Sequence, residues 1–348
     1  MSAPPARAGG DHAEGERRQP EARAGGDHAE GERRQPEARA GGDHAEGERR
    51  QPEARAGDAE AEAGRRQAEA RSVAAALSED AFLGGRVAAL QPKRGHHRAG
   101  LEAVLLGAAL DAGTSGLVVD LGAGAGVAGF VAAARLPAAR VLLVEREAEL
   151  AAAARAALEL PANAAFADRV AVAETDFAAD GEGDRPPAAG PRLRANMARA
   201  LVMNPPFHDA AAVTAPTGDA RRGAHLLAEE GLELWFRTAA RLLAAEGEVV
   251  AIARADALAD LLEAAAPRFG DLDLLPVHPR PGEPAHRILL RGKKGRRGAT
   301  RILSGLVLHA ATGNAPAAAV EPLFRAGVGL AEVHAPWRER GGEKEPRR

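Results

Sequence analysis

Short apolar runs alternate with segments of helical periodicity through residues 113–312. The apolar runs predict buried strands, and they cover residues 117–121, 140–145, 169–174, 200–203, 248–253, 272–278, 286–291 and 302–309. Segments with apolar residues on one face predict helices at residues 126–136, 147–160, 229–245 and 257–266. The late strands have no long helix between them, so the pattern predicts an α/β fold that ends in an antiparallel pair. The expected architecture is a Rossmann-like, doubly wound, mostly parallel seven-stranded sheet with an antiparallel edge strand.

The residues on either side of this main domain have a different pattern. Residues 72–112 contain the pairs Gly84-Gly85 and Gln91-Pro92, which predict a small hairpin, followed by a helix at residues 98–112. A stretch rich in Pro and Gly at residues 179–195 predicts a long surface loop. We therefore expect an N-terminal hairpin and helix at 72–112, the main domain at 113–312 and a C-terminal extension at 313–348.

The first 71 residues contain no Val, Ile, Leu, Phe or Trp. A charged unit begins at Arg7, Arg23 and Arg39, and a decayed copy begins at Arg55, which gives a period of 16 residues. A segment without large apolar side chains cannot bury enough surface to offset its conformational entropy. Residues 1–71 are therefore predicted to be a disordered tail of 16-residue repeats.

Composition narrows the class of protein. The formal net charge is −3, and the tail accounts for all of it, so nucleic-acid binding has to be argued from local patches. The chain has no Cys, which excludes disulfides, thiolate zinc sites and Cys nucleophiles. It also has no Tyr, which excludes a phenolic acid or base. No secretory signal and no apolar run of membrane-spanning length is present, and the adjacent His96 and His97 lack metal-ligand spacing. We expect a cytoplasmic monomer without a metal and without a membrane contact.

A glycine-rich turn follows the first strand of the main domain. Its sequence is Asp120-Leu121-Gly122-Ala123-Gly124-Ala125-Gly126, and it opens the helix predicted at 126–136. Glycines allow a tight turn and the close approach of a ligand to the backbone. An acid at the strand end would repel a pyrophosphate but suits S-adenosylmethionine, which carries an ammonium group and a sulfonium. We expect Asp120, Gly122, Gly124 and Gly126 to bind this cofactor, and a tight turn without a ligand is the alternative.

Two further acidic positions follow the next two strands. Glu145 ends the second strand, where an acid in nucleotide-binding folds accepts hydrogen bonds from a ribose diol, and a helix-start carboxylate is the alternative. Asp176 and Phe177 follow the third strand. Asp176 is expected to reach the adenine amino group of the cofactor and Phe177 to pack on its ring, and a simple turn is the alternative.

The sequence Asn204-Pro205-Pro206-Phe207 follows the fourth strand, at the crevice where ligands bind in such sheets. Two prolines fix the backbone and remove two N–H donors, so the carbonyl groups stay available as acceptors. The Asn204 side-chain oxygen and the Pro205 carbonyl are expected to accept the two N–H groups of a planar amine, which localises its lone pair for attack on a methyl group. Phe207 offers a face on which a base can stack. The alternative is a Pro-rich turn that caps a strand.

These motifs resemble those of class I S-adenosylmethionine-dependent methyltransferases that act on exocyclic amino nitrogens. Further segments resemble the bacterial tRNA1(Val) adenine-N6 methyltransferase family: Leu83-Gly84-Gly85-Arg86, Gln91-Pro92, Arg98-Ala99-Gly100, Ala103-Val104-Leu105-Leu106 and Pro284-Ala285-His286-Arg287-Ile288-Leu289-Leu290. The resemblance spans residues 79–312. The chain departs from the pattern at Glu102, where many relatives have Asp. The pair Phe207-His208 also occurs in the small-subunit rRNA guanine-N2 methyltransferases.

Basic residues cluster near these motifs and suggest contacts to RNA phosphates. The candidate RNA-binding residues are Lys93, Arg94, Arg98, Arg221, Arg222, Lys293, Lys294, Arg296 and Arg297. Solvated loops are the alternative reading of these clusters.

The sequence therefore predicts methyl transfer from S-adenosylmethionine to the exocyclic N6 amine of an adenine in RNA, with tRNA as the expected partner. The expected catalytic residues are Asn204, Pro205, Pro206 and Phe207. Methylation of guanine N2 in rRNA or of a protein glutamine amide, and a non-catalytic RNA-binding module, are the alternatives.

Overall fold

The computed structural model describes residues 76–93, 98–178, 188–206 and 219–338, with the backbone alone at residues 219–230. The predicted repeat tail, Arg94, Phe207, and residues 179–187 of the predicted loop lie outside the described residues. The chain begins its described part with a hairpin of β1 (Leu77–Phe82) and β2 (Val87–Pro92), which pair antiparallel. The hairpin that the two glycines and the Gln-Pro pair predict is thus confirmed.

A second, larger sheet follows the hairpin. Its longer strands are β3 (Gly116–Leu121), β4 (Ala139–Glu145), β5 (Val170–Glu174), β6 (Ala198–Met203), β7 (Leu243–Arg254), β8 (Phe269–His278) and β9 (Arg287–Lys294). Two short strands, β10 (Arg301–Ile302) and β11 (Leu306–Val307), complete it. The strand order is β10-β8-β9-β7-β6-β3-β4-β5, with β11 also paired to β8. All neighbours pair in parallel except β9, which is antiparallel to both β7 and β8.

The mostly parallel sheet with an antiparallel strand is confirmed, and the structure corrects its edge. The antiparallel strand β9 is not at the edge, because β8 and the two short strands β10 and β11 lie beyond it. The strand predicted at 302–309 is interrupted, so only residues 301–302 and 306–307 pair with β8. The position of the edge has a geometric reason. β9 pairs with β7 on one side and with β8 on the other through long antiparallel ladders, so the late segment can pair only with the outer side of β8.

The helices cover both faces of the larger sheet. They are α1 (Leu101–Ala109), α2 (Val127–Arg135), α3 (Ala148–Leu158), α4 (Asp219–Leu242), α5 (Leu258–Ala265), α6 (Glu321–Ala326) and α7 (Leu330–Val333). Helix α4 begins before the predicted position and is interrupted at Gly231, whose φ is 52°. Two hydrophobic cores result, one with α1, α2, α3 and the C-terminal helices, the other with the C-terminal part of α4 and α5. Within the described ranges, no helix has both the length and the apolar character that a membrane crossing needs.

Residues 313–338 complete the first core. Trp337 is fully buried, and its Nε1 donates a hydrogen bond to the carbonyl of Ala109 at 2.8 Å. The guanidinium of Arg291 lies 4.5 Å from the centre of the Trp337 ring. The segment predicted as a C-terminal extension therefore packs against α1 and β9.

The order of the strands reverses at β3, because β4 lies on one side of it and β6 on the other. Chain direction is the same in all three strands, so their carboxyl ends meet at one edge of the sheet. Crevices at such reversal points are the usual ligand sites of open α/β sheets.

Candidate active site

The glycine-rich turn connects β3 to α2 at this edge. Gly122, Gly124 and Gly126 have φ values of 69°, 57° and 88°, a region that residues with a side chain rarely adopt. A Cβ on Gly122 would lie 2.4 Å from the Trp235 ring, and one on Gly126 would lie 2.8 Å from Leu143. A Cβ on Gly124 would meet nothing within 4 Å. The first and third glycines therefore pack against the protein, whereas Gly124 borders open space.

Asp120 lies beneath this turn and is only 3% exposed. Its Oδ2 accepts a hydrogen bond from the Gly129 N–H at 2.8 Å. Burial raises the pKa of Asp120 to about 7, the nearby Glu145 carboxylate adds to the rise, and the bond from Gly129 opposes it. The hydrogen bond from Gly129 offsets only part of the cost of burying this charge. A cationic ligand beside Asp120 would stabilise the ionised carboxylate.

Glu145 ends β4 and ties the two neighbouring turns together. Its Oε2 accepts the Gly124 N–H at 2.7 Å, and its Oε1 accepts the N–H groups of Arg146 and Glu147 at 2.9 Å. A carboxylate has about four acceptor positions, so about one position remains for a hydroxyl group of a ligand. Glu145 thus fixes the turn at the glycine that borders open space.

Asp176 and Phe177 follow β5. Asp176 Oδ1 accepts the N–H of Ala178 at 3.0 Å and so closes a local turn. The Phe177 ring is buried, and its centre lies 4.8 Å from the centre of the Trp235 ring, edge to face. Phe177 therefore supports Trp235, which in turn packs under Gly122, and the contacts of Asp176 and Phe177 with a cofactor stay predictions.

Asn204 stands at the end of β6, next to the glycine-rich turn. The pairing of Leu121 with Met203 brings Gly122 and Asn204 to neighbouring positions at the carboxyl ends of β3 and β6. Asn204 is half-buried, Pro205 is buried and Pro206 is exposed. The role of Phe207 stays a prediction, since this residue lies outside the described part of the chain.

Two residues that the sequence motifs contain without an assigned role meet at Asn204. Glu102 on α1 lies 3.5 Å from Asn204, measured from Oε2 to Nδ2. The other oxygen of Glu102 accepts a hydrogen bond from Arg287 Nε at 2.7 Å. Arg287 begins β9 and belongs to the segment that resembles the late strand of the family. Only the three-dimensional structure brings positions 102, 204 and 287 together.

The basic residues divide between the two edges of the sheet. Arg98 precedes α1 on the side of Glu102 and forms an ion pair with Asp80. Lys293 and Lys294 lie at the other end of β9. Lys294 is seven residues from Arg287, which is about 23 Å at the rise of an extended strand. Lys294 Nζ donates to the Leu243 carbonyl at 2.7 Å. The second basic cluster thus lies on the edge opposite Asn204.

The structure describes fewer contacts for the remaining basic candidates. Arg296, near Lys294, pairs with Glu246. Arg221 and Arg222 lie within α4, where the backbone alone is described. The contacts of all these residues with RNA stay predictions. In the ranges that the structure describes, no three His, Asp or Glu side chains are arranged to hold a metal ion.

Comparison with known proteins identifies the family. The family model of the methyltransferase small domain matches residues 100–259. The crystal structure of a predicted O-methyltransferase from Agrobacterium tumefaciens is 33% identical, with a TM-score of 0.53, over 65% of this chain and 97% of that one. The chain belongs to the S-adenosylmethionine-dependent methyltransferases. The methyltransferase has S-adenosylmethionine as its cofactor, which supplies a methyl group on a sulfonium.

Other solved structures resemble the methyltransferase less closely. A tRNA (m1A58) methyltransferase from Aquifex aeolicus is 16% identical, with a TM-score of 0.38, over 59% of this chain and 73% of that one. A geranyl diphosphate C-methyltransferase from Streptomyces coelicolor A3(2), in complex with S-adenosyl-L-homocysteine, is 15% identical, with a TM-score of 0.37, over 56% and 75%. No curated protein matches the sequence.

Proposed function

We propose that the methyltransferase modifies the exocyclic N6 amine of an adenine in RNA, with tRNA as the substrate. The observation that carries the proposal is the position of Asn204. Its amide stands at the end of β6, beside the glycine-rich turn, and two prolines without N–H groups follow it. Hydrogen-bond acceptors are therefore concentrated where a substrate amine would approach the cofactor methyl group.

The chemistry needs acceptors more than a strong base. The lone pair of an exocyclic amine is delocalised into its ring, and this makes the nitrogen a poor nucleophile. Acceptance of its two N–H groups by Asn204 Oδ1 and the Pro205 carbonyl favours a tetrahedral nitrogen with a localised lone pair. The nitrogen–carbon bond then forms as the sulfur–carbon bond breaks, and the amine proton leaves to water. Alignment and these preorganised acceptors supply the catalytic effect.

The nearby carboxylates favour an amine over a hydroxyl substrate. A hydroxyl group would have to lose its proton to a base. Three carboxylates near the site already accept hydrogen bonds from the protein. Glu102 accepts one from Arg287, Glu145 accepts three from backbone N–H groups, and the buried Asp120 accepts one from Gly129. An exocyclic amine needs no such base, because hydrogen-bond acceptors can localise its lone pair while both protons are still on the nitrogen.

The other site residues take supporting roles in this proposal. Gly124, Asp120 and Glu145 would hold S-adenosylmethionine, and Glu145 would accept a hydrogen bond from its ribose. Phe207 stacks on the target base, which leaves its stack more readily in a loop of RNA than in a duplex. The basic residues near Arg98 contact the RNA close to the target base, and the cluster at the far end of β9 contacts a second part of the RNA.

Nucleoside mass spectrometry of tRNA and rRNA from a deletion strain tests the proposal. We expect N6-methyladenosine to disappear from tRNA and to return with the parental gene but not with Asn204→Ala. Loss of N2-methylguanosine from rRNA would replace adenine by guanine as the target. Unchanged tRNA and rRNA nucleosides would refute an RNA substrate.

A further inference from the structure

Three polar side chains from distant parts of the chain form a linear array at the site. Arg287 Nε donates to Glu102 Oε1 at 2.7 Å, and Glu102 Oε2 faces Asn204 Nδ2 at 3.5 Å. Glu102 and Arg287 are each about one quarter exposed, so the pair lies at the wall of the crevice rather than in the core. Among the described residues, no donor reaches Asn204 Oδ1.

The array determines which end of the Asn204 amide can face the substrate. An amide has a donor end and an acceptor end, and the two ends have nearly the same shape. A carboxylate accepts hydrogen bonds only, so it attracts the Nδ2 end and repels the Oδ1 end. With Nδ2 turned to Glu102, Oδ1 points away from the carboxylate. Arg287 holds the carboxylate in place, because a guanidinium can only donate.

We propose that Glu102 and Arg287 are positioning residues that orient the Asn204 amide with its oxygen toward the target amine. The inference rests on the proposed function, in which Asn204 Oδ1 accepts an N–H group of the substrate. The opposite amide orientation would present an NH2 group to an NH2 group and would block the acceptor role. The pair therefore acts through Asn204 and does not touch the reacting atoms.

The substitution Glu102→Gln tests the orientation directly. The oxygen of the new amide can keep the bond from Arg287, so its NH2 end then faces Asn204. The Asn204 amide is expected to turn over, because two donors cannot pair. We expect single-turnover methyl transfer to tRNA from the deletion strain to fall about as far as in Asn204→Ala, while the affinity for S-adenosylmethionine stays within about twofold.

A second background separates orientation from mere structural support. Asn204→Asp places two acceptor oxygens at this position, so orientation no longer matters, but it sets one carboxylate against another. In that background Glu102→Gln should raise the rate, since its NH2 group donates to the new carboxylate. A sign reversal between the two backgrounds is the expected result, and a purely structural role predicts a loss in both.

The matched control is Asp256→Asn, which removes a carboxylate from an exposed ion pair with Arg254, the cross-strand neighbour of Arg287. The chain has four asparagines, so with isotope-labelled asparagine the Asn204 amide resonance is assigned by its loss in Asn204→Ala. We expect this resonance to shift in Glu102→Gln and not in Asp256→Asn.

The outcomes distinguish the two proposals. An unchanged rate in Asn204→Ala would refute the acceptor role itself, and with it the proposed chemistry. A loss in Asn204→Ala together with a parental rate or an unshifted resonance in Glu102→Gln would refute only the orientation by Glu102.

Discussion

Replacement of Asp120 by Asn should stabilise the ligand-free methyltransferase and weaken its cofactor binding. The Asp120 carboxyl group is buried beneath the glycine-rich turn and accepts one hydrogen bond, from Gly129. The oxygen of an Asn side chain can accept the same bond without carrying a charge. The variant therefore keeps the shape of the site and removes the cost of a buried ion, and the contribution of its added NH2 group does not change with pH.

The pKa of Asp120 gives the size and direction of the effect. The group titrates at about 7 in the folded protein against 3.8 in an unstructured chain, because burial disfavours its charge. The folded state therefore binds the Asp120 proton more tightly than the unfolded state does. The stability that this proton contributes is fully present below about pH 4 and is lost as the pH rises to about 7. At about 1.4 kcal/mol for each pH unit, the total loss is about 4 kcal/mol. Above pH 7, Asp120→Asn should regain an amount of this order.

Urea unfolding of both proteins without cofactor, at about pH 5.5 and about pH 8, measures the effect. The difference in unfolding free energy should be about 2 kcal/mol larger at the higher pH, since about 1.5 units of titration separate pH 5.5 from the folded pKa. Calorimetry should show weaker S-adenosylmethionine binding by Asp120→Asn, because the anionic group is gone. Equal stability differences at the two pH values would refute the argument that Asp120 is a costly buried carboxylate.

Three further predictions follow from the geometry. Gly124→Ala should weaken S-adenosylmethionine binding measured by calorimetry, whereas Gly282→Ala, at a similarly open glycine with φ of 80°, should not; equal affinities would make the turn purely structural. Trp337→Ala should lower the free energy of unfolding in urea by about 3 to 5 kcal/mol, and a loss below about 1 kcal/mol would contradict its role in the core. Joint replacement of Lys293, Lys294, Arg296 and Arg297 should flatten the salt dependence of tRNA binding by about 0.7 to 0.9 for each lost phosphate contact, and an unchanged slope would assign these residues to the protein alone.

The sequence was most informative where the physical signal is local. Parallel strands buried on both faces read as apolar runs, so β3 to β6 could be placed before the structure was known. The glycine-rich turn and Asn204 could both be predicted at ligand sites because each directly follows a strand of such a sheet. These predictions need only the order of the elements and the direction of the strands.

Long-range pairing could not be read in the same way. Whether β9 lies at the edge or between β7 and β8 depends on ladders between distant segments, and the apolar pattern of β9 is the same in both cases. Glu102 and Arg287 stand 185 positions apart, and no spacing rule connects them. The edge-to-face contact of Phe177 with Trp235 also joins residues that no local pattern connects.

The burial of Trp337 against α1 has a consequence for the order in which the protein can fold during synthesis. Chains leave the ribosome from the N-terminus, and early domains usually fold as they emerge. Here the carbonyl of Ala109 accepts its hydrogen bond from the indole of Trp337, which is synthesised 228 positions later. Closing so long a loop comes late and slows folding. The hairpin and α1 therefore spend most of translation with an incomplete partner surface, and the first core reaches its final packing only after nearly the whole described chain has been made.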